Sequence, residues 1–309
     1  MNFLITGSGG FVGGHLIKEI KNRIPKANVI GLHRNPINQK INNVKYVKVD
    51  LNDLEAVVKT FRLHKPDYVI HLAAESSVNY SWENPANSLE NNLNIYLNVL
   101  EALRKLNYFP KILSVGSSEV YGAVIKEDLP ISENLSLKPL NPYAVFRVAQ
   151  ENISSIYNKS FGFKIIMTRS FNHFGKGQDQ RFFIPKLICQ ILDKKIKNIK
   201  LGDLNIVRDY IYIDDVVNAY LELLFEGKIN SVYNISNGKG YKLNEILGII
   251  EEISKIKKPI IIDHNLIRPS DNPIIIGDNT KIINETMWSP KVSLKEGLKK
   301  VIDDMREVQ

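Results

Sequence analysis

Short apolar runs alternate with helical patterns through the first half of the chain. The apolar runs predict strands at Asn2–Thr6, Val29–Leu32, Val44–Val49, Tyr68–Leu72, Ile112–Val115 and Lys164–Thr168. Between them, 3.6-residue periodicity predicts helices at Phe11–Ile24, Asp53–Leu63, Pro85–Leu106 and Pro142–Phe161. This β-α repetition with short links implies a doubly wound parallel sheet with helices on both faces, in an α/β fold whose ligands sit at the carboxyl ends of the strands. After Arg169 the texture changes. Longer loops rich in Gly, Asn, Asp and Pro separate shorter helices near Phe182–Asp193, Asp214–Phe225, Leu243–Ser254 and Ser293–Met305. No internal repeat or low-complexity linker marks the change, so it reads as a change of role and not as a flexible hinge.

The link from the first strand to the first helix is Thr6-Gly7-Ser8-Gly9-Gly10-Phe11-Val12-Gly13. Gly7, Gly10 and Gly13 are spaced for a tight turn, then a close backbone approach to pyrophosphate, then tight helix-on-strand packing. The helix N-terminus behind them adds free N–H groups and a positive dipole end for a diphosphate. Residues 1–169 therefore read as a dinucleotide-binding Rossmann domain. Residues 170–309 read as a smaller, mainly substrate-binding α/β region with some segments returning to the first. At the end of the second strand an acidic residue would bind a free ribose 2′-hydroxyl, and an arginine would suit a 2′-phosphate. The sequence there is His33-Arg34-Asn35, which favours NADP(H) over NAD(H) with Arg34 as the phosphate partner.

Charge and composition narrow the class. The chain has 309 residues, a net charge of +8 and an isoelectric point near 9.2, a balance that suits a polyanionic ligand. No basic run with interleaved aromatics appears, so nucleic acid is not expected as a partner. No apolar run approaches the ~20 residues of a membrane span, and the N-terminus lacks the pattern of a signal peptide. The single cysteine, Cys189, lies in the apolar stretch Ile184–Cys189 and is expected in the core, which points to a reducing, cytoplasmic compartment. His71, His173 and His264 lack partners at ligand spacing, so no metal site is expected.

Three further motifs stand out: His71-Leu72-Ala73-Ala74 follows the fourth strand, Ser117-Ser118-Glu119-Val120-Tyr121-Gly122 follows the fifth, and Asn141-Pro142-Tyr143-Ala144-Val145-Phe146-Arg147 opens the next helix. With the glycine loop, this order resembles the extended short-chain dehydrogenase/reductase family of nucleotide-sugar epimerases, dehydratases and reductases. The stretches Arg169–Gln178, Val207-Arg208-Asp209-Tyr210 and Arg268-Pro269-Ser270-Asp271 look most like its GDP-mannose branch, the 4,6-dehydratases and the 4-keto-6-deoxymannose reductases. The resemblance implies a dinucleotide lined by Gly7, Gly10, Phe11, Val12, Gly13, Arg34, Asp50, Leu51, Leu72, Ala73 and Ala74. It implies Tyr143 as acid/base with Ser117 as helper, Ser118 and Glu119 at the sugar, and a homodimer. The candidate dimer helices, Pro85–Leu106 and Pro142–Phe161, carry Leu93, Leu97, Leu100 and Leu103, and Val145, Val148, Ile153 and Ile156.

The chemistry is consistent with that resemblance. Moving a hydride between nicotinamide and a sugar carbon requires a group that gives or takes the hydroxyl proton, and a tyrosine does so beside a cation that stabilises its anion. Residues four apart share a helix face, so Tyr143 and Arg147 can reach the nicotinamide ribose together. Arg147 stands where the family has lysine, a change from a mobile ammonium to a rigid planar fork. On the helix before, Asn92 matches the family, but Ile95-Tyr96 replaces its small Gly-Thr pair. Asn172, Arg208 and Arg268 are candidates for the diphosphate and nucleotide of the substrate, because arginine's fork suits both. Reduction of the 4-keto group of a GDP-linked 6-deoxyhexulose is the first reading, dehydration through Glu119 the second and 4-epimerisation the third. A non-catalytic binder is the alternative that Arg147 leaves open.

Overall fold

The computed structural model describes residues 1–37, 40–266 and 272–307. The strands are β1 (Asn2–Thr6), β2 (Asn28–His33), β3 (Lys45–Lys48), β4 (Tyr68–His71), β5 (Lys111–Ser117), β6 (Lys164–Ser170), β7 (Asn172–Phe174), β8 (Ile199–Leu201), β9 (Val207–Tyr212), β10 (Val232–Ile235), β11 (Gly240–Lys242), β12 (Ile260–Ile262) and β13 (Ile274–Ile275). The helices are α1 (Phe11–Arg23), α2 (Leu54–His64), α3 (Val78–Glu83), α4 (Pro85–Lys105), α5 (Pro142–Phe161), α6 (Phe183–Leu192), α7 (Ile213–Glu226), α8 (Leu243–Ser254), α9 (Thr280–Glu285) and α10 (Leu294–Glu307).

Seven strands form one parallel sheet in the order β10-β6-β5-β4-β1-β2-β3. Strand alternation divides its side chains between two cores. Phe3, Ile5, Ile70, Leu113 and Ile166 pack on one face with α1 and α7, and Leu4, Val69, Ile112 and Ile165 pack on the other with α2, α4 and α5. The strand order reverses between β1 and β4, which opens the crevice where doubly wound sheets bind ligands. The glycine loop after β1, the Leu72–Ala74 segment after β4 and the serines at the end of β5 all border that crevice. Beside the large sheet lie a four-stranded sheet of β11, β9 and β13, with β7 also on β9, and a two-stranded ribbon of β8 and β12.

The six strands and four helices expected before residue 170 are present, with ends shifted by at most three residues. Four corrections come from beyond local pattern. The large sheet gains a seventh strand, β10, from the second half of the chain. Strands of two to six residues, β7 to β13, went unpredicted because such runs are too short to show a period. Helix α3 is a six-residue turn capped by Ser77, whose hydroxyl accepts from Tyr80 N, and it stops at Asn84 before Pro85. Cys189 is half-buried at the margin of α6 and not in the core. Among the described residues no helix is long and apolar enough to cross a membrane.

Candidate active site

The first wall of the crevice is built by backbone. Gly7 has φ +69°, a conformation that L side chains rarely adopt, and a Cβ there would lie 2.9 Å from Ala73 N. At Gly13 a Cβ would meet the Gly7 carbonyl oxygen at 2.6 Å, so the loop and α1 pack without room for a side chain. Gly10 caps α1 without a side-chain bond, leaving the first-turn N–H groups for a ligand. Thr6 Oγ1 accepts from Leu72 N at 3.2 Å and Ala73 N at 3.1 Å, and so donates its hydrogen to His71 Nδ1 at 3.1 Å. That one hydroxyl fixes the Leu72–Ala74 segment to the glycine loop. Phe11 lies parallel to His173, joining the loop to β7. Arg34 is exposed just past β2 and has no protein partner among the described residues, while Asp50 and buried Leu51 follow β3.

The second wall is built by side chains on α5. Its buried stripe is polar: Tyr143, Arg147, Gln150, Glu151 and Ser154, spaced to share one helix face. Arg147 Nε donates to Tyr143 Oη at 3.0 Å, and its Nη1 donates to the Val115 carbonyl at 2.8 Å and to Gln150 Oε1 at 2.7 Å. The guanidinium also lies 5.0 Å from the centre of the Tyr143 ring. Only 5% of Arg147 is exposed, and its Nη2 has no acceptor among the described residues. Nη2 is not among the fully enclosed unpartnered atoms, so it opens to solvent and is free to donate to a ribose hydroxyl. The residues thus fit a nicotinamide dinucleotide at both ends, with a glycine floor for its diphosphate and a buried fork for its ribose. Beneath, His71 is fully enclosed; burial, with repulsion from Arg147, holds its imidazole neutral by lowering its pKa to about 3.

Ser117 ends β5, and its Oγ accepts from Glu119 N at 3.2 Å, which leaves its own hydrogen for a ligand. Ser118 and Glu119 start a short 3-10 turn and are half-buried. Asn141, which the sequence motifs did not single out as a functional residue, joins α5 to the turn after β5. Its Oδ1 caps α5 by accepting from Ala144 N at 2.8 Å, and its Nδ2 donates to Glu119 Oε2 at 2.8 Å. An Asn before a Pro at a helix start is a cap signature, so half of that role was readable. Asn92 holds the loop after β4 by pairing both amide atoms with the Glu75 backbone.

The substrate candidates are more dispersed. Asn172 is exposed at the start of β7, just past the end of β6. Arg208 lies half-buried on β9, where its Nη1 donates to the carbonyls of Val207 and Asn272. Arg268 falls outside the described residues. Behind the site, Arg169 grips Glu151 through two bonds of 2.9 and 2.8 Å and donates to Tyr121 Oη at 3.0 Å, locking α5 to β6. Tyr121 Oη in turn donates to Asn234 on β10 at 2.6 Å.

Comparison with known proteins agrees with this arrangement. The family model of GDP-mannose 4,6 dehydratase matches residues 4–301. GDP-6-deoxy-D-mannose reductase of Pseudomonas aeruginosa is 32% identical over 243 residues, covering 77% of this chain and 80% of that protein. The solved structure of RMD from Pseudomonas aeruginosa complexed with NADPH superposes with a TM-score of 0.86 at 28% identity, over 100% of this chain and 99% of that one. UDP-glucose 4-epimerase of Thermotoga maritima, solved with UDP-glucose, gives a TM-score of 0.91 at 29% identity, again over 100% and 99% of the two chains. The chain belongs to the GDP-mannose 4,6 dehydratase family, within the extended short-chain dehydrogenase/reductases, and is an NAD(P)-dependent enzyme of the nucleotide-sugar dehydratases, epimerases and reductases.

Proposed function

We propose that the protein reduces the 4-keto group of a GDP-linked 6-deoxyhexulose with NADPH. The observation that carries this reading is the Tyr143–Arg147 pair at the crevice: a phenol held at 3.0 Å by a buried, permanently charged donor. When bound, the nicotinamide supplies a hydride to C4 of the sugar. Tyr143 Oη gives its proton to the carbonyl oxygen as that oxygen gains charge, and Arg147 Nε stabilises the negative oxygen left on Tyr143. Arg147 cannot pass on a proton, so Tyr143 recovers its own from water. The Ser117 hydroxyl donates to the reacting oxygen and orients it.

Dehydration stays the second reading, because Glu119 Oε2 accepts from Asn141 while Oε1 has no partner among the described residues. The likeness to GDP-6-deoxy-D-mannose reductase supports the GDP-linked substrate. Arg34, exposed and unpartnered among the described residues, supports NADPH. Asn172, Arg208 and Arg268 are assigned to the nucleotide-sugar diphosphate and base.

The test is to supply GDP-4-keto-6-deoxymannose with NADPH, and separately GDP-mannose with NADP. NADPH consumption in the first assay and no 4-keto product in the second is the expected result. The reverse pattern assigns dehydration, and silence in both rejects the substrate class.

We also infer a homodimer through α4 and α5. Leu100 and Leu103, expected from the sequence at the interface, are instead fully buried within the subunit core. The outward surface is carried by Leu89, Val145 and Ile156, which are 38, 44 and 55% exposed. Sedimentation of only a 35.2 kDa species at micromolar concentration would refute it.

A further inference from the structure

The two departures from the family's residues, Tyr96 on α4 and Arg147 on α5, are joined by one chain of buried hydrogen bonds. Gln150 Oε1 accepts from Arg147 Nη1 at 2.7 Å, and Gln150 Nε2 donates to Ser114 Oγ at 2.8 Å. Ser154 Oγ donates to the Gln150 carbonyl at 2.7 Å and lies 2.5 Å from Tyr96 Oη. Tyr96, Ser114, Arg147, Gln150 and Ser154 are all at least 95% buried, so each of these groups must find its partner inside the protein.

Counting hydrogens orders the whole chain, because each hydroxyl has one to give. Ser154 gives its hydrogen to the Gln150 carbonyl, so Tyr96 donates to Ser154. Tyr96 has then spent its hydrogen. Ser114 accepts from Gln150 Nε2. The amide of Gln150 is thereby turned with Oε1 toward Arg147. Burial pushes the Tyr96 phenol up to about 12, so the group stays a donor across the working pH range.

We propose that Gln150 and Tyr96 are positioning residues that set the rotation of the Arg147 guanidinium and so let arginine serve where the family has lysine. An arginine is a planar fork of five N–H groups and can present either Nε or Nη to a neighbour. Gln150 Oε1 and the Val115 carbonyl take both hydrogens of Nη1. With Nη1 held, Nε faces Tyr143 Oη and Nη2 is left for the ribose of the dinucleotide. The bulk at position 96 supplies the hydroxyl that reaches Ser154 and so holds the Gln150 main chain, which a small residue there would not do. Tyr96 and Arg147 are therefore two ends of one device. It rests on the reading of Tyr143 as proton donor and of Arg147 as ribose ligand.

The test is a set of double-mutant cycles pairing Gln150→Met or Tyr96→Phe with Arg147→Lys, read by NADPH fluorescence titration and by kcat, with thermal melting to confirm folding. In the native background each single change is expected to weaken NADPH binding and lower kcat by about tenfold, within the usual range for side chains sharing a network. In the Arg147→Lys background the same changes are expected to act by less than about twofold, because an ammonium has no fork to orient. Equal factors in both backgrounds, or no effect in the native one, overturn the proposal and leave the network a packing feature. Tyr96→Phe removes one oxygen and keeps the ring, so it probes the network even where Gln150→Met fails to fold. NADPH titration needs no sugar, so a wrong substrate assignment shows in the turnover assays and leaves the binding cycle readable.

Discussion

The two walls of the crevice are made differently. The glycine loop is shaped by backbone and by the absence of Cβ atoms, with Gly7 and Gly13 pressed against neighbouring main chain. The Tyr143 wall is shaped by side chains, a polar stripe of α5 whose members hold one another. In the first wall a substitution acts by moving the chain, so binding and stability fall together. In the second it acts by removing or turning a charge or a proton, so chemistry falls first. In the proposed function the first wall holds the diphosphate and the second runs the reaction.

The largest effect is expected from the second wall. Tyr143→Phe removes the proton donor and keeps the ring, and should lower kcat for keto reduction by ~10²-fold or more with little change in NADPH affinity. A parallel loss of affinity would mean that the phenol binds cofactor instead. The first wall should answer in the opposite way. Gly13→Ala puts a methyl 2.6 Å from the Gly7 carbonyl oxygen, so NADPH affinity should fall by roughly tenfold or more and the melting temperature with it. Unchanged melting would break the distinction between the walls. At the edge of the first wall, Arg34→Ala should remove a preference for NADPH over NADH of about tenfold, the scale of one charged hydrogen bond, while NADH binding stays constant.

The smallest effect comes from two buried groups that oppose each other. The His71 imidazole falls from 6.5 to about 3 on folding, so below 6.5 the unfolded chain binds a proton that the folded one refuses, and stability drops as pH drops. Asp209 on β9 accepts from Asn237 N, Gly238 N and Gly277 N, but burial outweighs these bonds and raises its carboxyl from 3.8 to about 7. There the folded chain keeps a proton that the unfolded one has lost, so its contribution to stability drops as pH rises through about 7. Between pH ~5 and ~6.5 the two slopes oppose each other, each approaching ~1.4 kcal/mol per pH unit. His173 and His64, both lowered by burial, add to the slope of His71. Relative to the native protein in denaturant melts, His71→Gln should turn the slope of stability against pH downward and Asp209→Asn should turn it upward. Parallel slopes in the two variants would reject the assignment.

The amino-acid sequence by itself determined the order of the six strands and four long helices to residue 170, the glycine loop, and the pairing of Tyr143 with Arg147. Each of these is a local signal: a period of two, a period of 3.6, a turn that only glycine makes, or two residues one helical turn apart. The polar stripe Tyr143, Arg147, Gln150 and Ser154 was written at that same helical spacing, but nothing local says that such a stripe faces inward. That was decided by its partners. Gln150 meets Ser114 across 36 residues, Ser154 meets Tyr96 across 58, and Tyr121 reaches Asn234 across 113. The entry of β10 into the large sheet was decided the same way, by a parallel ladder to β6. A buried donor must find an acceptor wherever the fold places one, and a short strand gains its hydrogen bonds only from a neighbour. Such pairings exist only once distant segments are packed together, so the tertiary structure alone could decide which residue turns Arg147 toward Tyr143.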